Sequence, residues 1–267
     1  MADEVRIALT LVAGLASGML SAAFGVGGAV VTTPAIRALG AGPLVAVGTT
    51  LPAILPSAVV GSLRYRREGL IRWDAVAWTG GWGALAAVAG AALARHVPGG
   101  GHLLMLGTAA LMAFTAVRLA ATPDAVQPID PAAAPEDRRT AKAASRPKLA
   151  LTGIIAGLLS GLLGIGGGIV MVPAFTAWLR FPIKEAIGTS LACVGILAVP
   201  GTVTHALLGG IDWSFAVPLA VGVIPGAWLG SALAIRATER NLRFAVAGLL
   251  ATIAVVYGAA EIAALLA

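Results

Sequence analysis

The sequence predicts an all-α polytopic membrane protein built from two inverted repeats of about five helical segments each. Three observations predict it: composition, an internal duplication and the way charge is shared among the loops. Of 267 residues, 58% are hydrophobic and only 11% are charged, with a mean hydropathy of +0.93. A water-soluble domain spends about a quarter of its residues on charge. Apolar blocks close to the roughly 20 residues of a bilayer crossing fill most of the chain. Few aromatic residues and 35 glycines suit helices whose backbones approach closely in lipid.

The duplication is ungapped from Gly14 against Gly153, at an offset of 139 residues. Gly18 matches Gly157, Ser21 matches Ser160, Gly25 matches Gly164, Gly27 and Gly28 match Gly166 and Gly167, and Pro34 and Pro43 match Pro173 and Pro182. One inserted residue then sets the offset at 140. Gly48–Thr49–Thr50–Leu51 meets Gly188–Thr189–Ser190–Leu191, Gly61 meets Gly201, and Gly69, Ile71 and Trp73 meet Gly209, Ile211 and Trp213. Glycines alone could coincide, but prolines, hydroxyls and a tryptophan held in step cannot be put down to composition.

The elements follow in order. The first span, 5–23, opens behind "MADEVR", which is acidic where a secretory signal has a basic start; it therefore belongs to the first repeat. Segment 27–39 is only about 20 Å long at helical rise, short of a core about 30 Å thick, and reads as a half helix or the arm of a hairpin dipping into the membrane. Segment 44–63 carries the first hydroxyl pair. Segment 73–95 starts at Trp73, an interfacial anchor by position, and 102–119 closes the first repeat, residues 1–120. Residues 121–147, rich in Pro, Ala and charge, read as a solvated cytoplasmic linker. The second repeat, 148–267, runs through 149–163, 167–179, 185–207, 213–235 and 242–264, with Trp213 as its anchor.

An odd number of segments turns the second repeat over in the membrane. With the N-terminus outside, Arg64, Arg66, Arg67 and Arg72, the linker cations, Arg180, Lys184, Arg236, Arg240 and Arg243 all fall inside. Only Arg6, Arg37 and Arg95 fall outside. That is the positive-inside pattern, and it places both termini outside a bacterial-type cytoplasmic membrane. The net charge of +6 is absorbed by this pattern, which leaves nucleic acid out as a partner.

Gly25, Gly27 and Gly28 in "GVGG", and Gly164, Gly166, Gly167 and Gly168 in "GIGGG", each directly precede a short helix. Glycine takes left-handed turns cheaply and leaves backbone N–H groups open. A helix N-terminus carries about half a positive charge and binds anions. Two such ends near the midplane would form one small-anion site, as in transporters with broken helices. Thr49, Thr50, Thr189 and Ser190 would add neutral donors, or instead bond back to their own helices. Gly14, Gly18, Gly153 and Gly157 fit helix packing better. Cys193 lies three residues beyond Ser190 and His205 near the end of the same segment, so both are candidate lining residues. Trp82 and Trp228 would wall the cavity or, more simply, pack in the core.

The duplicated "GVGGAVVTTP" and "GIGGGIVMVP", with "AVGTTL" and "AIGTSL" and the "GLIRW" and "GGIDW" turns, resemble the TauE/SafE sulfite-exporter family of membrane permeases. The resemblance covers almost the whole chain outside the linker. It implies transport of sulfite, organosulfonates or related small sulfur-containing anions. The first copy departs from the second in carrying Ala29 where the second has Gly168, so the half-sites differ.

Other classes fit less well. One cysteine and three histidines supply no Cys motif or His-rich centre for a metal, and no cofactor is expected. No carboxylate sits mid-span as a proton relay would. An intramembrane enzyme would need a nucleophile and base together; Ser17 has no histidine in a matching segment. An anion channel using the same helix ends stays open as an alternative to a carrier, and the small-residue faces permit a homodimer.

Overall fold

A computed structural model of the chain describes residues 3–94, 102–121, 135–163, 166–207 and 209–266. Among these residues the regular structure is entirely helical. The first half contains α1 (Asp3–Phe24), the short α2 (Ala29–Ala38), α3 (Pro43–Arg67), α4 (73–94) and α5 (His102–Ala121). Within α4, the turn Val76–Gly80 is π-helical, between Trp73–Ala75 and Gly81–Ala94. The second half contains α6 (Pro135–Leu163), the short α7 (Gly168–Ala177), α8 (Ile183–Leu207), α9 (Trp213–Arg236) and α10 (Glu239–Leu266). Among the described residues, five helices are long and apolar enough to cross a membrane: α1, α3, α4, α8 and α9. The chain is thus a multi-pass helical protein, with a pair of short helices among the long ones.

The segment boundaries expected from hydropathy hold within a few residues, with one difference. Residues 135–147, which composition assigns to the linker, form the first half of the helix α6. Their composition explains this. Glu136 and Asp137 favour the start of a helix, and the Arg, Lys and Ala that follow are strong helix formers.

The two halves pack reciprocally. α1 lies along α9, where a β-carbon on Gly14 would stand 2.6 Å from the carbonyl oxygen of Leu219, and one on Gly18 would collide with that of Val223. α6 lies along α4 in the same manner, with Gly153 on Thr79 and Gly157 on Gly83. Each contact in the second pair is the repeat equivalent of one in the first. These glycines therefore serve close packing, as their spacing suggested.

The antiparallel pair α3 and α8 forms the centre. Gly188 packs on Tyr65 at one end and Gly48 on His205 at the other, with Gly61 on Leu191 and Gly201 on Leu51 between. Most of α8 from Ile183 to Ala198 is buried. The outer faces of α1, α4 and α9 expose Val12, Leu85, Val88, Val217 and Val221, as lipid-facing helices must. All six tryptophans are exposed, Trp82 by 46% and Trp228 by 57%. Neither tryptophan walls a cavity or packs in the core. Trp228 instead faces outward with the Arg64 guanidinium 4.8 Å above its ring.

Candidate functional site

The glycine breaks are turns of unusual backbone. Gly25 and Gly27 have φ of 67° and 86°, and Gly166 and Gly167 have φ of 82° and 70°, a region that costs any residue with a β-carbon about 1–2 kcal/mol. The turns end α1 and start α2 in the first half, and start α7 in the second. Gly164 lies outside the described residues. The N-cap of α2 is Gly28 and that of α7 is Gly167, and no side chain caps either one. The third N–H of each short helix, that of Val31 or Val170, bonds back to the cap carbonyl at 3.1 or 3.2 Å, and the helix dipoles add positive potential at the breaks.

The two breaks touch each other. A β-carbon on Gly168 would collide with the carbonyl oxygen of Gly25 and lie 2.7 Å from the carbonyl carbon of Val26. One on Gly166 would stand 3.9 Å from Cα of Gly27, flanked by Ile54 of α3 and Val194 of α8. Ile54 and Val194 are themselves repeat equivalents. Residues 25–28 and 166–168 are all buried. The molecule thus brings Gly25, Gly27, Gly28, Gly166, Gly167 and Gly168 into one closed, central place. Irregular backbone at that depth needs such cover.

The hydroxyls divide. Ser190 joins the breaks: its Oγ donates to the carbonyl of Gly25 at 2.8 Å across 165 residues. Thr50 bonds back to Val47 of its own helix at 2.9 Å. Thr49 accepts the backbone N–H of Asp212 at 2.9 Å, and Thr189 accepts that of Arg72 at 3.1 Å. These last two sit at opposite ends of the α3–α8 pair, each holding the turn that leads into the other repeat's fourth helix. Cys193 is fully buried in the α8 core. His205 lies fifteen residues from Ser190, about 22 Å along the helix at 1.5 Å per residue, against Gly48 and Gly210. It is not brought to the breaks.

Two features escaped the sequence reading. Ser17, weighed only as a nucleophile, donates its hydroxyl to the carbonyl of Gly28 at 2.8 Å and so pins the start of α2. The signal was present in the repeat alignment, which pairs Ser17 with Ala156. Arg72 also forms an ion pair with Glu185 at 2.6 Å and lies 4.1 Å over the Phe181 ring. The repeat gives no counterpart, because Asp212 and Val45 occupy the equivalent positions.

Elsewhere, an apolar groove of about 700 Å³ runs along the packed pair α5 and α10, lined among others by Ala109, Ala113, Phe244 and Ala247. Its lining side chains offer an anion no donor, so the breaks remain the candidate site. Among the described residues, no group of three His, Cys, Asp or Glu side chains is gathered to hold a metal.

Comparison with known proteins finds relatives over most of the chain. Residues 10–257 match the family model described as sulfite exporter TauE/SafE. A probable membrane transporter protein of Xylella fastidiosa (strain 9a5c) is 30% identical over 251 residues, covering 91% of this chain and 90% of the relative. The probable membrane transporter protein YunE of Bacillus subtilis (strain 168) is 28% identical, over 84% of this chain and 86% of its own. One from Methanocaldococcus jannaschii is 24% identical over 91% of each chain. No solved structure matches.

Proposed function

The chain belongs to the sulfite exporter TauE/SafE family, and from that premise we propose that it is a secondary transporter for a small sulfur-containing anion such as sulfite or an organosulfonate. The observation that carries the reading is the meeting of two glycine breaks, each opening on an uncapped helix N-terminus. Dipoles and backbone N–H groups bind an anion without the deep well a buried lysine would make, so release on the far side stays cheap. The family supplies the sulfur chemistry, and the helix ends supply the preference for negative charge.

Transport proceeds by alternating access, with the halves rocking about the central breaks while the repeats stand inverted in the cytoplasmic membrane and both termini face outside. The reciprocal contacts between the halves support this, as does the clustering of Arg and Lys in one set of loops. Full burial of residues 25–28 and 166–168 favours a carrier with an occluded site over a channel, which needs a continuous path.

The test is uptake of radiolabelled sulfite, sulfoacetate, taurine and sulfate into proteoliposomes, with and without a pH gradient. Saturable, trans-stimulated flux of one sulfur-containing anion is expected, and its response to the gradient reports proton coupling. Ohmic, non-saturating currents would replace the carrier by a channel. Flux of none of the four in folded protein would reject the substrate class.

A further inference from the structure

Among the described residues, the buried hydroxyls of Ser21, Ser57, Ser62 and Thr202 have nothing to bond; Ser21 and Ser57 are the most deeply buried of the four. Ser57 on α3 is 0% exposed and Ser21 on α1 is 1% exposed, and neither Oγ has a hydrogen-bond partner. A buried hydroxyl left unsatisfied destabilises the fold, and natural proteins keep few of them without a use.

The repeat relationship sets Ser57 beside the start of α2, and Ser21 lies one turn from a serine that bonds there. The repeat spacing makes Ser57 the equivalent of Leu197, as it makes Ile54 the equivalent of Val194. Leu197 Cδ2 lies 3.2 Å from where a β-carbon would stand on Gly167, the N-cap of α7. The corresponding place beside Gly28, the N-cap of α2, falls to Ser57. Neighbours on α3 agree. Ser57 follows Ile54, which touches the Gly166 break, and precedes Gly61, whose β-carbon position is 3.3 Å from Ala22 at the end of α1; residues three and four apart share a helix face. Ser21 lies one turn beyond Ser17 on the same face of α1, and Ser17 already bonds Gly28. At the other break, Ala156 and Leu197 stand where Ser17 and Ser57 stand here, while Ser160 matches Ser21, so the difference between the halves lies at Ser17 and Ser57.

We propose that the two half-sites are unequal: the anion is held at the N-terminus of α2 by its first-turn N–H groups and the hydroxyls of Ser57 and Ser21, while Leu197 makes the α7 side the apolar half. A sulfite or sulfonate group presents three oxygens, and this end offers donors of both kinds. The inference rests on the transporter reading above and adds the residues that hold the substrate.

The experiment is thermal-shift titration of the purified full-length protein with sulfite, sulfoacetate, taurine and sulfate. Without ligand, Ser57→Ala should melt at or above the wild-type temperature, since it removes an unpaired group. Its affinity for the anion the wild type binds should nonetheless fall about tenfold or more, the worth of one hydrogen bond to a charged partner. Ser57→Thr, which keeps the hydroxyl, should retain most of the affinity. Gly248→Ala, whose β-carbon meets nothing within 4 Å, should melt and bind as the wild type does. Ser21→Ala gives the same readings at the second hydroxyl should Ser57→Ala fail to fold. Wild-type affinity in Ser57→Ala and Ser21→Ala overturns this proposal alone. Absence of any shift in the wild-type protein, with all four anions, overturns both it and the transporter reading.

Discussion

Thr189 Oγ1 accepts the backbone N–H of Arg72 at 3.1 Å, joining two residues 117 positions apart. Its repeat equivalent, Thr49, accepts that of Asp212 at 2.9 Å. Each threonine satisfies the residue that caps the start of the other half's fourth helix. Valine at either position leaves that N–H unpaired, at a cost of about 1–3 kcal/mol. We therefore expect Thr49→Val and Thr189→Val to lower the melting temperature separately and to nearly add together, the two sites being far apart. Serine at either position should restore it. A double valine variant as stable as wild type would show that the bonds contribute nothing.

The contact between the breaks yields a steric prediction. Gly168→Ala sets a β-carbon into the carbonyl of Gly25 and 2.7 Å from the carbonyl carbon of Val26. Both are backbone atoms and cannot swing aside. Overpacking of this kind costs about 1–3 kcal/mol, and it wedges the breaks apart. Gly248→Ala meets nothing within 4 Å and serves as the control. Flux in proteoliposomes should fall sharply in the first variant and stay level in the second. Equal flux in both would remove the breaks from the transport site.

Arg72 and Glu185 form their ion pair at side-chain exposures of 29% and 26%, on the face where the arginine-rich 64–72 loop lies. Exposed pairs of this sort are worth about 0.2–1 kcal/mol and weaken with salt. A double-mutant cycle with Arg72→Gln and Glu185→Gln should return a coupling in that range at low salt, shrinking at high salt. Arg72→Lys should recover only part of it, because lysine lacks the planar face that lies over Phe181. A coupling indifferent to salt would contradict the electrostatic account.

Cys193 is the one cysteine in the chain and is fully buried. A membrane-impermeant maleimide should leave the native protein unlabelled in intact cells, which makes introduced cysteines a clean probe of orientation. With Cys193→Ser as background, Asp3→Cys should label from outside, and Glu68→Cys only after the cells are opened. The reverse pattern would overturn the placement of both termini outside.

Much of the architecture was legible because it is written in short-range terms. The breaks at Gly25–Gly28 and Gly166–Gly168 could be placed to the residue, since only glycine reaches φ of 67–86° cheaply. Gly14, Gly18, Gly153 and Gly157 read as packing residues from their spacing. The tryptophans were less legible. Inside an apolar span, Trp82 and Trp228 suit lipid as well as they suit a protein core, because lipid tails are as apolar as leucine. The sequence leaves the hydroxyl pairs either as donors at the anion site or as bonds back to their own helices. The antiparallel run of α3 against α8 sends Thr49 and Thr189 to opposite ends and keeps only Ser190 at the breaks.

By itself, then, the sequence determined the apolar helices, the duplication, the two turns that interrupt it and the family. Each follows from local sterics or from hydropathy summed over a span, and needs no knowledge of what lies across the molecule. Only the tertiary structure decided that Gly168 rests on Gly25, that Ser190 reaches Gly25 rather than its own helix, and that Ser57 is left without a partner. Those outcomes depend on which faces of distant helices meet, and that is fixed by packing the whole set of helices at once.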